Sequence, residues 1–249
     1  MAAVPGTLYI VATPIGNLAD LTIRARETLE GVDQIACEDT RHSLRLLEHY
    51  GIRKPLVSLH AHNEAMRSAQ LVENLAEGKC AAYISDAGMP GVSDPGQRLV
   101  QACLRAGIRI EVIPGPSAVL TALVGSGFPA DAFFFGGFLP VKSGHREKAL
   151  RRALEREETT VFFESPHRID GTLELLASLE GARPVCVARE LTKKFEEFRR
   201  GSAAEVAAHF RRQPAKGEIC LVIAGSDLPK WAAPQNSATG GKPETENPG

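Results

Sequence analysis

Along the first half of the chain, short β-rich apolar runs alternate with longer stretches whose apolar residues recur at helical spacing, joined by short connections. Leu8 to Ala12 predicts a strand, and Asp20 then predicts the N-cap of a helix that stops at Gly31. Gln34 to Glu38, Leu56 to Leu59, Ala81 to Ile84 and Arg109 to Ile113 predict further strands. Between them lie helices from about Thr40 to Gly51 and from an Asn63 cap to near Gly78. Another runs to Gly107 from an Asp94 cap, with Pro95 at the first helical position and Gln97 at the third. The turn Pro114-Gly115-Pro116-Ser117 leads into one more helix. This alternation implies a parallel sheet with helices on both faces and ligands at the carboxyl ends of the strands.

From about Phe128 the pattern changes. Strand-like runs at 132–138, 159–164, 184–190, 195–200 and 217–224 alternate with helices near 144–158, 166–180 and 202–213. The link Leu191 to Lys194 is too short for a parallel crossover, so this half predicts a mixed α/β sheet. The expected division is an N-terminal α/β domain over 1–125 and a C-terminal mixed α/β domain over 126–225. The segment 226–249, rich in Pro, Gly, Asn and Thr, has the composition of a disordered tail.

With 29 Lys and Arg against 30 Asp and Glu, a nucleic-acid partner would have to be met by a local basic patch rather than a basic body. No apolar run approaches a membrane span, and the start of the chain lacks a signal-peptide pattern, which points to a cytoplasmic protein. Cys37, Cys80, Cys103, Cys186 and Cys220 are widely spaced, mostly inside apolar runs, and read as small buried hydrophobes.

Three Gly/Pro-rich turns follow strands of the first sheet: Thr13 to Asn17, Ser85 to Gly96, and Pro114 to Ser117. Any one of them alone is better read as a tight turn; together they predict one crevice. None contains Lys or Arg, the middle one carries Asp86 and Asp94, and neither GxxxxGKS/T nor a GxGxxG after the first strand is present. A cofactor bearing a cation is the better electrostatic match. S-adenosylmethionine is one: loop carbonyls solvate its sulfonium, helix N-terminal amides its carboxylate, and an acid such as Asp86 its ribose or amino group.

The motifs VATPIGNLADLT, ACEDTRHS, LHAHNE, ISDAGMPGVSDPG, VIPGPSAVLTAL, FFESPHR, VARELTKKFEE and GEICLVI span about Leu8 to Ile223 in order. With them the chain resembles the bacterial ribosomal RNA small-subunit methyltransferase I group, the ribose 2'-O-methylating branch of the tetrapyrrole (class III) methylase superfamily. The resemblance implies a two-domain homodimer with the cofactor in the interdomain cleft. It implies cofactor contacts at Pro14, Ile15, Gly16 and Asn17, at Asp86, Ala87, Gly88 and Met89, at Ser117 and Ala118, and at Phe163 closing over the adenosine. Met89 stands where the resemblance leads one to expect threonine, so only a backbone role carries over there. The implied substrate is a cytidine in the decoding region of 16S rRNA in the small ribosomal subunit.

Methyl transfer to a ribose hydroxyl needs the acceptor about 3 Å from the methyl, water excluded, and help from a base. Glu38 or Asp39, in Glu38-Asp39-Thr40-Arg41-His42, is the candidate base; helix capping by Asp39 or Thr40 with Arg41 solvated is the plainer reading. His60 and His62 share a strand face without a partnering Cys/His cluster, which favours substrate contact over a metal. Ser165 reads as a helix cap with Pro166 at the first turn, and Arg168 either meets a phosphate or pairs with an acid. Arg189 and Lys193 lie in a turn similar to the family's RNA-facing one. The basic stretch Lys142 to Glu157 either tracks a phosphate backbone or forms an ordinary polar face. Two competing functions remain at this stage: carbon methylation of a tetrapyrrole in cobalamin or sirohaem synthesis, and a non-catalytic nucleotide-sensing or ribosome-binding module.

Overall fold

Five strands, β1 (Thr7–Val11), β2 (Gln34–Cys37), β3 (Leu56–Ser58), β4 (Ala81–Ile84) and β5 (Arg109–Ile113), form a parallel sheet in the order β3-β2-β4-β1-β5. Because β1 is flanked by β4 and β5 and covered on both faces, all five of its residues are buried, which is why its sequence is nearly continuous apolar rather than alternating. Tyr9 and Val11 meet α1 (Ile23–Gly31) and α2 (Thr40–His49), while Leu8 and Ile10 meet α3 (Glu64–Ala76) and α4 (Gln97–Arg105). This computed structural model describes Val4 and residues 6–227, so the expected tail from residue 228 onward lies outside the described residues. Among the described residues no helix is long and apolar enough to cross a membrane.

The second sheet holds β6 (Phe133–Phe138), β7 (Thr159–Glu164), β8 (Pro184–Arg189), β9 (Glu197–Ser202) and β10 (Ile219–Ile223), in the order β6-β7-β10-β8-β9. Only β6 and β7 run parallel, so the sheet is mixed, as the short 191–194 link requires. One face packs on α6 (Ser143–Leu154), α7 (Ile169–Glu180) and α8 (Ala203–Arg212). The other face packs on α5 (Ala118–Ser126), the helix that leaves β5 of the first sheet, through Val119, Ala122 and Leu123 against Val161, Cys186, Ala188 and Val222. All five cysteines are buried and unpaired. Burial pushes the thiols of Cys186 and Cys220 up to about 12, so they behave as small apolar groups.

Three helix starts differ from expectation. A short 3-10 turn, Leu18–Asp20, is capped by Asn17, and α1 starts later under Thr22, whose hydroxyl accepts from Ala25 N–H; Asp20 caps nothing. The helix expected at Pro166 begins at Ile169, because the Ser165 hydroxyl accepts from His167 N–H and closes a turn instead. Most consequential, Asp94 does not cap α4. The buried Glu64 carboxylate reaches across from the first turn of α3 and accepts from Gly96 N–H at 2.9 Å and Arg98 N–H at 3.0 Å. Gly96 itself has φ +121°, and a Cβ there would overlap the Tyr83 ring.

Asn63 sits at the N-cap of α3, but its side chain faces backward, accepting from His60 N–H and donating to the Ser58 carbonyl, so it shapes the end of β3. A cap supplied by a buried charged group contributes about 2 kcal/mol. Glu64→Ala is therefore expected to lower unfolding free energy by about that amount in urea denaturation, while Asp94→Ala costs much less.

Candidate functional site

The three Gly/Pro-rich turns are laced together beyond the carboxyl ends of β1, β4 and β5. Thr13 and Gly88 form an isolated antiparallel bridge, with Thr13 N–H to the Gly88 carbonyl at 2.9 Å and Gly88 N–H to the Thr13 carbonyl at 3.1 Å. The Thr13 hydroxyl donates to the Ser85 carbonyl at 3.2 Å. A Cβ on Gly88 would lie 3.4 Å from Ile15 Cγ2 and 3.7 Å from the Pro116 carbonyl oxygen, so the middle loop touches both others. Ser117 caps α5, leaving the helix's first amides at the same place.

Pro14, Ile15, Gly16 and Asn17 thus stand beside Asp86, Ala87, Gly88 and Met89 and beside Ser117 and Ala118. Asn17 Oδ1 is engaged as a cap, accepting from Ala19 N–H, and the Met89 side chain packs on the α3/α4 layer. Phe163 on β7 joins from the second sheet: it packs into the apolar cluster that holds Ile15 and Ala118, with the Phe135 and Phe138 rings at 5.0 and 5.2 Å. The donor set suits a ligand that combines an apolar ring, a cation and a small carboxylate, because small residues expose carbonyls and amides while the loops bring no base.

One base does reach the first loop from outside. A Cβ on Gly16 would fall 2.5 Å from Lys193 Cγ and 2.9 Å from the Leu191 carbonyl oxygen. The Lys193 ammonium is held by Glu190 and Glu218, each at 3.0 Å, so its charge is answered before a ligand arrives. Glu190 and Thr192 take positive φ in this link, and the Thr192 hydroxyl is buried without a partner.

The acids differ sharply among themselves. Asp39 caps α2, accepting from Arg41 N–H, and the Arg41 guanidinium bonds both its oxygens, which holds the carboxyl down at about 2. Glu38, next to it, is raised by burial and then by the fields of Asp94, Asp86 and Asp39. Asp94 is raised by burial and by Asp86, with the Ser85 hydroxyl opposing; that hydroxyl lies within reach of both Asp94 and the Ala87 carbonyl. Asp86 Oδ1 accepts from Asp39 N–H at 3.3 Å, tying the middle loop to the head of α2. Of the two candidate bases, Glu38 keeps the higher proton affinity.

Of the expected substrate contacts, Arg41 is the most open, with 89% of its side chain exposed. His60 and His62 do not share a strand face: they lie in the loop and turn beyond Ser58, the last residue of β3, where their rings pair edge to face at 5.9 Å, and His60 Nδ1 is buried without a partner. The other three are ion-paired within the chain. Arg168 pairs with the fully buried Glu164 at 2.6 Å, since a buried carboxylate requires an opposite charge. Arg189 pairs with Glu197 at 2.6 Å across the β8/β9 hairpin, and Lys193 is held as described. On the basic stretch, Arg151 and Arg156 pair with Glu147 and Glu158. Sequence reading missed Glu64, Tyr83 and the Thr13 to Gly88 bridge; the only local signal was an acid, Glu64, in a helix's first turn.

A cavity of about 450 Å³ adjoins the first and third loops and is lined by Ile15, Asp20, Pro116, Ser117, Thr121 and Thr192. A larger one, about 700 Å³, lies at the opposite end of the sheet, between the end of α2 and the start of β3. The strand ends, where backbone groups and helix N-termini converge, decide for the former region.

The family model for tetrapyrrole (corrin/porphyrin) methylases matches residues 7–207. Proteins named ribosomal RNA small subunit methyltransferase I from Halalkalibacterium halodurans and Thermotoga maritima are 47% and 46% identical over 221 and 222 residues. These matches cover 89% of this chain and 76% and 100% of the two relatives. The Synechocystis sp. protein of that name is 49% identical over 222 residues, 89% of this chain and 80% of its own length. Among solved structures, uroporphyrin-III-C-methyltransferase from Thermus thermophilus superposes with a TM-score of 0.63 at 23% identity, covering 90% of this chain and 100% of that one. Diphthine synthase superposes with a TM-score of 0.66 at 16% identity over 88% of this chain and 90% of that one. These two likenesses concern the fold alone.

The raised carboxyls carry a stability consequence. A folded state that holds a proton more tightly than the unfolded chain loses stability as pH rises from the unfolded value, 3.8 for Asp94, through the raised one. Asp94→Asn keeps the Ser85 contact and removes the repelled charge. It is expected to melt at or above the parent's temperature at pH 7 and to lose that advantage below pH 3.8, as read by calorimetry across a pH series.

Proposed function

The chain belongs to the tetrapyrrole methylase family, in its ribosomal RNA small subunit methyltransferase I branch, and from that premise we propose that it methylates the 2'-hydroxyl of a cytidine in the decoding region of 16S rRNA, with S-adenosylmethionine as donor. The observation that carries the reading is the crevice of laced loops that themselves carry no base, beside an acid of raised proton affinity. S-adenosylmethionine supplies a methyl group on a positively charged sulfur, which departs as a neutral thioether with the carbon–sulfur electron pair. The Thr13 to Asn17 and Ser85 to Met89 backbones and the α5 amides would hold it, with Phe163 against its adenine. Asp86 would take its ribose or amino group.

Glu38 is the residue to accept the hydroxyl's proton, since Asp39 is committed to Arg41 and is a far weaker base. Arg41, His60 and His62 would meet the substrate, since they suit a phosphate backbone and its base edges. Arg41 is also paired, with Asp39, but 89% of its side chain is exposed, whereas Arg168, Arg189 and Lys193 are held by carboxylates with 22%, 23% and 27% exposed and are therefore left out of the RNA contacts. Carbon methylation of a macrocycle has behind it the family's description and fold likeness at 23% identity, against relatives named for ribosomal RNA at 46–49% identity. The same reading includes a homodimer, action in the cytoplasm, and two domains, 1–125 and 126–225, closing on the cofactor.

Glu38→Gln is expected to cut methyl incorporation into small subunits by about a hundredfold or more while calorimetry finds cofactor affinity unchanged; an undiminished rate removes Glu38 from the step. Mapping ribose methylation in a strain lacking the protein should show one lost mark in small-subunit rRNA, and an intact map refutes the reading.

A further inference from the structure

Strand β6 is irregular where it meets the crevice. Phe135 pairs with Val161 and Phe138 with Phe163, so β6 sets three residues against two of β7. Glycines accommodate the extra residue: Gly137 takes φ +66°, and a Cβ on Gly136 would overlap the Phe162 ring. The bulge puts the Phe138 ring, rather than Gly137, opposite Phe163, with the two rings 5.2 Å apart. It also seats β6 on the middle loop, where a Cβ on Gly137 would lie 3.3 Å from Ser93 Oγ. Phe138 nevertheless stays 59% exposed, and Val141, three residues on, 78%. An apolar ring held in water at the mouth of a crevice by a bulge adds little to stability, and such bulges re-aim side chains for use.

From Phe138 the chain runs directly into the head of α6. Leu139 fixes the path: its N–H donates to the Phe163 carbonyl at 3.1 Å, and its carbonyl accepts from Arg168 Nη1 at 3.3 Å. Two cations stand at the end of this path. Lys142, the N-cap of α6, is exposed, and Arg146, one turn later, folds back so that its Nη1 lies 3.5 Å from the Val141 carbonyl. Arg151 and Arg156, farther along the same stretch, are held by Glu147 and Glu158. Among the described residues no carboxylate pairs with Lys142 or Arg146, and Arg146 Nε is buried without a partner. Four residues keep Phe138 and Lys142 within about 14 Å of each other, so ring and cations form one surface continuous with the crevice.

We propose that this surface is a second RNA subsite, in which an unpaired base near the methylated nucleotide stacks on Phe138 while Lys142 and Arg146 hold the adjoining phosphates. The inference deepens the ribose-methylation reading and rests on it. A nucleotide carries a flat apolar face and an oxyanion on one short unit, which is the combination that Phe138, Lys142 and Arg146 offer together. The strand is single there, because a base inside a duplex has no free face to stack. A backbone held on the head of α6 also stays clear of Asp86 and Asp94 in the middle loop, which would repel it.

Binding of the dye-labelled full chain to small ribosomal subunits from a strain lacking it, followed by anisotropy across a KCl series, tests the surface without turnover. Lys142→Gln combined with Arg146→Gln is expected to weaken binding about tenfold or more and to flatten the slope of log K against log salt by about 1.4, or 0.7 for each lost phosphate contact on a single strand. Phe138→Leu is expected to weaken binding about tenfold with the slope unchanged, and Phe138→Tyr to restore it. In methyl incorporation both losses are expected in KM rather than kcat, with S-adenosylmethionine affinity unchanged in calorimetry. Arg212→Gln, the same charge change at the end of α8, is expected to do none of this. A slope that the two-cation variant leaves unmoved, an equal effect of Arg212→Gln, or a Phe138→Leu loss that calorimetry finds in cofactor affinity overturns the inference. An oligomeric state that shifts with these substitutions in light scattering also overturns it, by assigning the surface to a second copy of the chain. If Phe138→Leu fails to fold, the salt slope of the two-cation variant decides. Failure of the parent to label small subunits refutes the activity reading, and the binding curves still judge the surface.

Discussion

The candidate site depends on two backbone hydrogen bonds between Thr13 and Gly88. Parallel strands end independently, and the loops beyond β1, β4 and β5 have no salt bridge or disulfide to hold them together. The bridge extends sheet-like pairing one step past the strand ends, and the Thr13 hydroxyl adds a third tie at Ser85. Each such bond contributes about 1 kcal/mol net, so their effect is chiefly to choose one arrangement among many for chain that glycine leaves free. Ligand-facing carbonyls and amides are then set before binding, which spares the ordering cost of doing so afterwards.

Order and type of elements were legible because buried parallel strands force apolar runs and because the Leu191 to Lys194 link admits only a hairpin. Where the sequence misled, a partner remote in the chain had replaced a local one. Asp94 with Pro95 is a good local helix start, yet the α4 amides are met by Glu64, 32 residues earlier. Arg189 and Lys193 looked available because Glu197 and Glu218 become their neighbours only through strand pairing and turn geometry, whereas Arg168 takes the acid-pairing alternative with Glu164, four residues before it. The loops carrying the site were legible as loops, since Gly and Pro show there directly; their mutual contacts were not, since backbone pairing leaves no mark on side-chain identity.

Charge is distributed here by function rather than by total. The chain is nearly neutral, and among its crevice residues the acids outnumber the bases. Acids thus dominate the crevice floor, while at its edge Arg41 stands exposed. Such a floor favours a cation over a polyanion.

Helix α5 belongs by sequence to the first sheet and by packing to the second, where it covers the face that α6 to α8 leave bare. Neither half of this molecule is consequently a portable module. Severed after residue 125, the front piece would end in a nearly complete helix with a naked oily flank, and the back piece would display an uncovered sheet. A cut there strips apolar surface bare on both pieces, so the two sheets share one folding fate.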